Sequence, residues 1–472
     1  MDFTEVYKHS GSILFSPCSR EACSFLRAAY RLVLRRADTF QIMQTWLLDA
    51  SASPTQLLTS GKAKTTSTEN WASHIGWSCD SEYVLAACAK RGVVHVYKVQ
   101  DEDWSARIDS GAEGLVKAEW APDGRTVLCF SQWGLRVTVF SLVTGSVTYI
   151  QFPVHPDSGY AFRSDGRYFV LAERHKSKDT VGVYDTTNSY KLIRHFPLPT
   201  SSLSSLALSP TGNHLAIWEG PIEYKLYVLS LVGDILGTFS PDPDPGFGIR
   251  KVAWHPSGMF LAVGGWDDRI HILDLTWTPA ITLELSTRVP AGVTIWREPA
   301  KWQETTEGRG FLSYERLQGP YSITLNRADL TKPSPKSGAV QLEWNMNGSL
   351  LLVRFENAPT AVHIFEFPSP NQDFVPKLRA VLIHSRPVTH ARWNPIRKGS
   401  LTLCCGAQSL YMWSDEWLGE AGEEEMAECI GVPAKNFETR DLKWTPDGKG
   451  LVLIDKDVFC CAFEVEEDVE QT

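Results

Sequence analysis

The stretch that decides the fold runs Val252-Ala253-Trp254-His255-Pro256-Ser257-Gly258 and continues as Phe260-Leu261-Ala262-Val263-Gly264. Its first part alternates up to an aromatic residue, Trp254. The segment 256–258 then favours a tight turn, because proline fixes φ and glycine tolerates a positive φ. The apolar run that follows is typical of a second strand. The stretch therefore predicts a β-hairpin whose first strand ends in an anchor tryptophan.

The same pattern occurs nine times along the 472-residue chain. The gaps between successive anchors are 62, 43, 42, 46, 46, 90, 49 and 51 residues. Most of these gaps fit the period of roughly 40–45 residues at which each WD40 repeat forms one blade. Six anchors are Trp, which explains much of the excess of this residue, present 17 times in the chain. The anchors are Phe15, Trp77, Trp120, Phe162, Leu208, Trp254, Trp344, Trp393 and Trp444.

Each repeat has room for two more strands after the hairpin. A third strand that ends in an aromatic or apolar residue is visible at residues 93–97 and 269–274, and a more polar fourth strand at residues 191–196. Four antiparallel strands per repeat, stacked radially, form a β-propeller. We therefore predict an all-β, WD40-like β-propeller of about nine four-stranded blades in one ring, with residues 1–472 as a single domain.

Two gaps exceed the period, and we interpret both as insertions. Residues 51–70 are rich in Ser, Thr and Lys and predict a loop insertion. Residues 286–337 contain strand-like segments at 293–296 and 321–325 around a polar region. Because no Pro-Asp-Gly turn is present there, an extended hairpin or loop insertion is favoured over a decayed tenth blade.

The two ends of the chain predict how the last blade is completed. The last repeat supplies three strands and then an acidic tail, residues 465–472. The alternating segment 3–8 precedes the first repeat and is predicted to be the missing fourth strand of the last blade. Such a pairing would remove two exposed sheet edges that otherwise invite aggregation.

The composition excludes several classes of protein. The net charge of −9 lacks the basic footprint of duplex recognition, so we expect no nucleic-acid partner. No apolar run approaches 18 residues and the first residues lack a signal peptide, so we expect no membrane association. The ten cysteines occur without CxxC pairs and are expected to be the reduced thiols of an intracellular protein.

No motif for catalysis or metal binding is found. Phosphate-binding loops, nucleophile elbows, HExxH and EF-hand sequences are missing. The pairs Cys404-Cys405 and Cys460-Cys461 lie in predicted strands, where neighbours point to opposite faces and cannot bind one metal ion. We therefore predict no catalytic residue, no metal site and no cofactor. A propeller with no such site is by default an interaction platform.

Several stretches carry a more specific resemblance. The chain resembles the WRAP-seventy-three family of WD-repeat proteins, also called WD-repeat protein eight, most strongly over residues 113–275. The resemblance is weakest over residues 51–70, 286–337 and 415–440. It rests on residues 1–6, 31–35, 172–174, 223–231 and 248–264. The first repeat departs from the pattern, because Pro17-Cys18-Ser19-Arg20 replaces its Pro-Asp-Gly turn.

The resemblance implies a non-enzymatic scaffold at the centrosome or spindle pole body. Such a protein would localise to the cytoplasm and cytoskeleton and would help anchor microtubule minus ends and the mitotic spindle. The implied partners are a coiled-coil adaptor of the Msd-one or synovial-sarcoma-X-two-interacting class and a minus-end-directed kinesin-fourteen. Two alternatives stay open: a translation-linked propeller resembling eukaryotic initiation factor two-A, and a propeller hydrolase or oxidoreductase.

One set of turn residues is a candidate partner-binding face. In a WD40 blade, the turn between the second and third strands opens on the same face as the loop between blades. These turns would bring exposed aromatic, Arg and acidic side chains into one arc, as at interface hot spots. The alternative is that the tryptophans are buried between blades and that Asp267 only caps its turn. The candidates are Trp133, Glu173, Arg174, Glu219, Tyr224, Trp266, Asp267 and Asp268.

Overall fold

A computed structural model shows two compact units. One unit comprises residues 8–201 and the other residues 1–7 with 202–472; we call them the four-blade unit and the five-blade unit. The predicted loop 51–70 and the acidic tail 465–472 lie outside the described residues. These are residues 1–9, 13–26, 31–48, 72–306, 308, 310–327, 331, 335–368, 375–416 and 425–464.

The predicted fold class is confirmed, because the described residues form nine blades of four antiparallel strands, and every first strand ends at its predicted anchor. In the four-blade unit the strands of each blade pair in chain order. Short 3-10 turns occupy Ala89–Arg91, Gly111–Glu113, Gln132–Gly134 and Thr186–Asn188. Blade one comprises Ile13–Phe15, Glu21–Leu26, Arg31–Arg36 and Ile42–Leu47; blade two His74–Trp77, Tyr83–Cys88, Val93–Lys98 and Asp101–Asp109; blade three Lys117–Trp120, Thr126–Phe130, Arg136–Ser141 and Val147–Gln151; blade four Tyr160–Phe162, Tyr168–His175, Lys178–Asp185 and Lys191–Pro197.

The five-blade unit repeats the same layout. Its last blade takes its fourth strand from the beginning of the chain. Blade five comprises Leu203–Leu208, His214–Glu219, Leu226–Ser230 and Ile235–Phe239; blade six Ile249–Trp254, Leu261–Gly265, Arg269–Leu273 and Pro279–Glu284; blade seven Ala339–Trp344, Leu350–Phe355, Ala361–Glu366 and Lys377–Ile383; blade eight His390–Trp393, Ser400–Cys404, Ser409–Ser414 and Met426–Gly431; blade nine Asp441–Trp444, Gly450–Ile454, Val458–Phe463 and Asp2–Phe3.

The N-terminal segment completes blade nine, as predicted. Asp2–Phe3 pairs antiparallel with the end of Val458–Phe463, and the Tyr7 ring packs against Phe459 of the same strand with ring centroids 5.4 Å apart. Between them Thr4 donates its backbone N–H to the carbonyl of Cys461 at 2.9 Å and accepts the N–H of Cys461 on its Oγ1 at 3.0 Å. The prediction of one closed ring concerns the arrangement of the two units and stays a prediction.

The segment 286–337 contributes strands to the edges of two blades. Thr294–Arg297 runs parallel to the fourth strand of blade seven and pairs with Glu315–Gln318 on its other side. Phe311–Ser313 pairs with the fourth strand of blade eight. A second short pairing joins Arg288–Val289 to Tyr321–Ser322, and a four-residue helix spans Trp302–Thr305.

A buried carboxylate holds this segment to blades seven and eight. The Oε1 atom of Glu298 accepts hydrogen bonds from Trp302 Nε1 at 2.8 Å and from the Tyr411 hydroxyl at 2.7 Å. Its Oε2 atom accepts the Ser385 backbone N–H at 2.6 Å and the Ser385 hydroxyl at 2.7 Å. Burial alone would raise the pKa of Glu298, but these hydrogen bonds outweigh it and lower the pKa. The charged form is therefore the one that the fold stabilises.

Every anchor tryptophan binds the blade before it. Its indole N–H donates to the carbonyl of the residue that precedes the previous anchor, so the bond has the same geometry at each position. The repeated tryptophan is thus explained by a blade-to-blade hydrogen bond. The six bonds run from Trp77 to Leu14 (3.2 Å), Trp120 to Gly76 (3.1 Å), Trp254 to Ala207 (3.1 Å), Trp344 to Ala253 (3.2 Å), Trp393 to Glu343 (3.0 Å) and Trp444 to Arg392 (3.4 Å).

The turn glycines serve both the turn and the blade contact. Gly348 has φ +77°, and a Cβ placed on it would lie 2.0 Å from His255 of the previous blade. Gly258 meets Thr211 in the same way, with a Cβ contact of 2.8 Å. In blade one, which lacks the Pro-Asp-Gly turn, Ser19 takes the left-handed conformation at φ +58°.

Replacing Gly348 by alanine should destabilise the five-blade unit more than the same change at Gly246. Both glycines have a positive φ, so each alanine should cost about 1–2 kcal/mol in backbone strain. Only Gly348 has a close neighbour; no atom lies within 4 Å of a Cβ on Gly246. Overpacking should therefore add ~1–3 kcal/mol at Gly348. Scanning calorimetry of both variants measures the difference, and equal melting temperatures would refute the close-approach explanation.

Candidate partner-binding surface

The eight residues of the predicted binding face belong to two different units. Trp133, Glu173 and Arg174 lie in the four-blade unit, whereas the other five lie in the five-blade unit. All eight stand at or beside the turn between the second and third strands of their blade. The arrangement of all eight residues in a single arc stays a prediction.

Trp133 stands at the tip of the turn in blade three and is 91% exposed. Its backbone has φ +60°, a conformation that is rare and costly for a bulky residue. The neighbouring Gly134 packs so closely that a Cβ there would lie 2.7 Å from the carbonyl oxygen of Pro153. Trp133 is thus not buried between blades. A strained backbone that carries an exposed indole makes Trp133 a candidate functional residue.

Backbone hydrogen bonds link the segments next to the Trp133 turn, which also carry exposed side chains. Phe152 donates its N–H to the carbonyl of Leu135 at 2.9 Å, and Arg174 donates its N–H to the carbonyl of Phe152 at 2.9 Å. Leu135 and Phe152 are both more than two-fifths exposed. We call Trp133, Leu135, Phe152 and Arg174 the Trp133 patch. Its aromatic and arginine content is that of an interface hot spot.

Glu173 does not belong to this patch. Neighbouring residues on a strand point to opposite faces, so Glu173 is directed away from the face on which Arg174 lies. Its side chain is 3% exposed and accepts hydrogen bonds from Tyr184 and His175. Arg174 binds the buried Asp179, with Nε to Oδ1 at 2.7 Å.

Two of the predicted residues in the five-blade unit are also buried. Glu219 is 3% exposed and accepts the backbone N–H of Ser202 at 3.1 Å. Tyr224 is fully buried and packs edge-on against Phe239 with ring centroids 6.2 Å apart. Neither side chain can contribute contact area to a partner in this structure. The prediction missed this because a turn residue can fold back into the core.

Trp266 and Asp268 fasten the blade-six turn to blade seven. The Arg250 guanidinium lies 4.4 Å from the centre of the Trp266 ring and donates to the carbonyl of Ser337 at 2.7 Å. The Ser337 hydroxyl donates to the carbonyl of Trp266 at 2.8 Å. Asp268 accepts a hydrogen bond from Asn357 Nδ2 at 2.8 Å. Trp266 and Asp268 stay half-buried and can be reached from solvent.

Asp267 differs from Trp266 and Asp268 because one of its carboxylate oxygens is buried without a hydrogen-bond partner among the described residues. Its Oδ1 atom is buried with no hydrogen-bond partner from another described residue, and the hydroxyl of nearby Tyr224 is likewise unpartnered among them. Burial raises the pKa of Asp267 to about 6, and Asp268 and Asp244 add to the effect, against the opposing influence of its own backbone amide and Arg269. A buried carboxylate with a raised pKa at a turn is a candidate functional group.

The four cysteines of the two adjacent pairs, and His363 in the third strand of blade seven, are buried. Burial raises the pKa of the Cys404 thiol to about 11 and lowers the pKa of His363 to about 4, so both are neutral at physiological pH. Cys405, which follows Cys404, and the pair Cys460 and Cys461 are also buried free thiols. No helix in the described part of the chain combines the length and the apolar character that a membrane span requires.

Sequence comparison decides the family. The family model for the WD domain, G-beta repeat, matches residues 233–274, from the fourth strand of blade five through the third strand of blade six. The WD repeat-containing protein WRAP73 of Mus musculus is 32% identical over 99% of this chain and 97% of that protein. The chain belongs to the WRAP73 family of WD-repeat proteins. This membership and the WD blades support a protein-interaction scaffold of a non-catalytic kind.

The comparisons also find more distant similarities. An uncharacterised WD repeat-containing protein of Schizosaccharomyces pombe is 22% identical over 100% of this chain and 94% of that protein. Among solved structures, Kluyveromyces lactis Hsv2 aligns with a TM-score of 0.42 at 10% identity, covering 79% of this chain and 99% of that chain. KlHsv2 with loop 6CD replaced by a Gly-Ser linker aligns with a TM-score of 0.43 at 11% identity over the same shares.

The substitution Asp267→Asn should stabilise the protein at pH 7.5. A carboxyl whose folded pKa is raised binds its proton more tightly when folded, so stability falls as the pH rises from about 4 to about 6 and stays reduced above that. Asparagine mimics the neutral form and should recover about 1–2 kcal/mol after discounting for solvent screening.

The gain from Asp267→Asn should shrink as the pH falls below about 6 and should be mostly lost by pH 4, where the folded carboxyl is protonated and the unfolded one is partly protonated. Asp268→Asn is the matched control, because it weakens the hydrogen bond from Asn357 and should lower stability at pH 7.5. Thermal unfolding of both variants across pH 4–7.5 tests the assignment. If the Asp267→Asn variant is instead less stable than the wild type at pH 7.5, the folded protein stabilises the charged carboxylate and the assignment is wrong.

Proposed function

We propose that this protein is a non-enzymatic scaffold of the centrosome or spindle pole body. It would help anchor microtubule minus ends and the mitotic spindle by joining two partners. These are a coiled-coil adaptor of the Msd-one or synovial-sarcoma-X-two-interacting class and a minus-end-directed kinesin-fourteen. Its location would accordingly be the cytoplasm and cytoskeleton. Support comes from membership of the WRAP73 family and from the resemblance of residues 1–6 and 223–264 to that family.

The exposed side chain of Trp133 is the observation that carries the proposal. A tryptophan that is 91% exposed loses the free energy of burial, and its positive φ adds strain. Neither helps the four-blade unit to fold. Both become favourable if a partner covers the indole, because a buried aromatic anchor contributes much of the binding energy of an interface.

The chemistry of the Trp133 patch fits a coiled-coil helix. Such a helix presents an apolar seam flanked by charged positions. The seam can cover Trp133, Leu135 and Phe152, while Arg174 at the edge of the patch can pair with an acidic flanking residue. The ion pair between Arg174 and buried Asp179 holds the guanidinium in place for this contact.

Binding of the purified chain to the adaptor coiled coil tests the proposal. Trp133→Ala should weaken binding at least tenfold, as expected for a hot-spot residue. Val143→Ala is the matched control: Val143 is 73% exposed in the same blade but lies in the turn between the third and fourth strands, at the opposite end of the sheet. Arg174→Glu is unsuitable, because it would leave the buried Asp179 without its cation.

The outcomes test the binding surface and the partner class separately. Weakened binding of Trp133→Ala, with the binding of Val143→Ala unchanged, supports both the Trp133 patch and the adaptor as its partner. A well-folded Trp133→Ala variant that binds normally would exclude the Trp133 patch, and a wild-type chain that does not bind the adaptor would exclude this partner class. Capture of the tagged chain from dividing cells should recover spindle-pole proteins; ribosomal proteins in their place would overturn the proposal.

A further inference from the structure

Three metal-ligand side chains converge in blade four, outside the Trp133 patch. The Oε2 atom of Glu173 lies 2.9 Å from Nε2 of His175 and 3.3 Å from Nε2 of His195. All three ligand atoms lie within 4.8 Å of one another. We propose that Glu173, His175 and His195 bind a divalent transition-metal ion of the zinc class. None of the three is a member of the Trp133 patch, although the His175 ring packs edge-on against Phe152 of that patch with ring centroids 5.4 Å apart.

The strand register explains why these residues meet. Glu173 and His175 are two apart on the second strand of blade four, so they point to the same face of the sheet. His195 lies on the fourth strand and pairs with Gly182 of the third strand between them. The side chains of Glu173 and His195 must therefore reach across the third strand to touch.

Gly182 makes that approach possible. A Cβ placed on Gly182 would lie 2.4 Å from Oε1 of Glu173, so any larger residue would displace the carboxylate. The φ of Gly182 is not in the left-handed region, and the glycine is thus required by space rather than by backbone conformation. The missing side chain of Gly182 leaves the space in which Glu173, His175 and His195 meet on one face of the sheet.

The distances suit a metal ion. Zinc binds histidine nitrogen and carboxylate oxygen at about 2.0–2.2 Å, so two ligands of one tetrahedral ion are about 3.4 Å apart. The observed separations of 2.9 Å and 3.3 Å need only small side-chain movements to reach this value. Two histidines and one glutamate form a three-ligand set that leaves a fourth position for water or for an external group.

The surroundings also fit such a site. The Glu173 carboxylate is buried, and its other oxygen, Oε1, accepts a hydrogen bond from the Tyr184 hydroxyl, as second-shell partners of metal ligands commonly do. His175 and His195 are more than one-third exposed and face a cavity of about 490 Å³ that Tyr149 and Gln151 also line. An ion can therefore enter from solvent. Lys178, opposite His175, is exposed and can turn away.

Zinc titration of the purified full chain tests the proposal. Calorimetry with ZnCl2 should detect one equivalent bound, and His195→Ala or His175→Ala should weaken binding at least 100-fold. Both histidines are partly exposed, so these variants should stay folded, which circular dichroism can verify. His155→Asn is the matched control, because His155 is an exposed histidine of the same unit outside the cluster.

Cobalt spectroscopy distinguishes this site from binding by cysteine. A complex of Co²⁺ with the cluster should show weak visible bands of nitrogen and oxygen ligation without near-ultraviolet thiolate charge transfer. The exposed Cys18 and Cys79 would produce such charge transfer if they held the ion. The proposal is overturned by thiolate bands, by a wild-type chain that binds no zinc, or by unchanged zinc affinity in folded His195→Ala and His175→Ala variants.

Discussion

The hydrogen bond from an anchor indole to the carbonyl of the previous blade is the interaction on which each unit depends. It occurs at all six anchor tryptophans with the same donor and the same acceptor position. Three blades have anchors that cannot make it: Phe15 and Leu208, which belong to the first blade of each unit, and Phe162 of blade four. Blade four uses another contact with blade three, in which Lys117 donates to the Tyr160 hydroxyl at 2.8 Å.

Most of the fold could be predicted from the sequence, because each repeat is defined by residues that are close together in the chain. Anchor, turn and strand positions follow from residue types that fix backbone conformation, so all nine first strands end where expected. The pairing of residues 286–337 with blades seven and eight could not be predicted, because contacts such as Ser385 and Tyr411 with Glu298 join residues far apart in the chain. No local pattern marks them.

The candidate sites were predicted less well, and the reason is the direction of side chains. Glu173 and Arg174 are neighbours in sequence, yet one lies in the metal-ligand cluster and the other in the Trp133 patch, since strand residues alternate between faces. The cluster itself required the register of Gly182 with His195, which the sequence does not reveal. Trp133 could be found, because it is a tryptophan that stands in a turn instead of at an anchor.

Two Trp→Phe substitutions in blade eight test the account most directly. Trp393 is buried and donates to the Glu343 carbonyl, whereas Trp413 is buried with no acceptor for its indole N–H among the described residues. Both substitutions remove a similar volume, but only Trp393→Phe leaves a carbonyl unpaired, at a cost of about 1–3 kcal/mol. Calorimetric unfolding should show the larger loss of stability for Trp393→Phe. An equal or larger loss for Trp413→Phe would contradict the dependence of the blades on the indole bond.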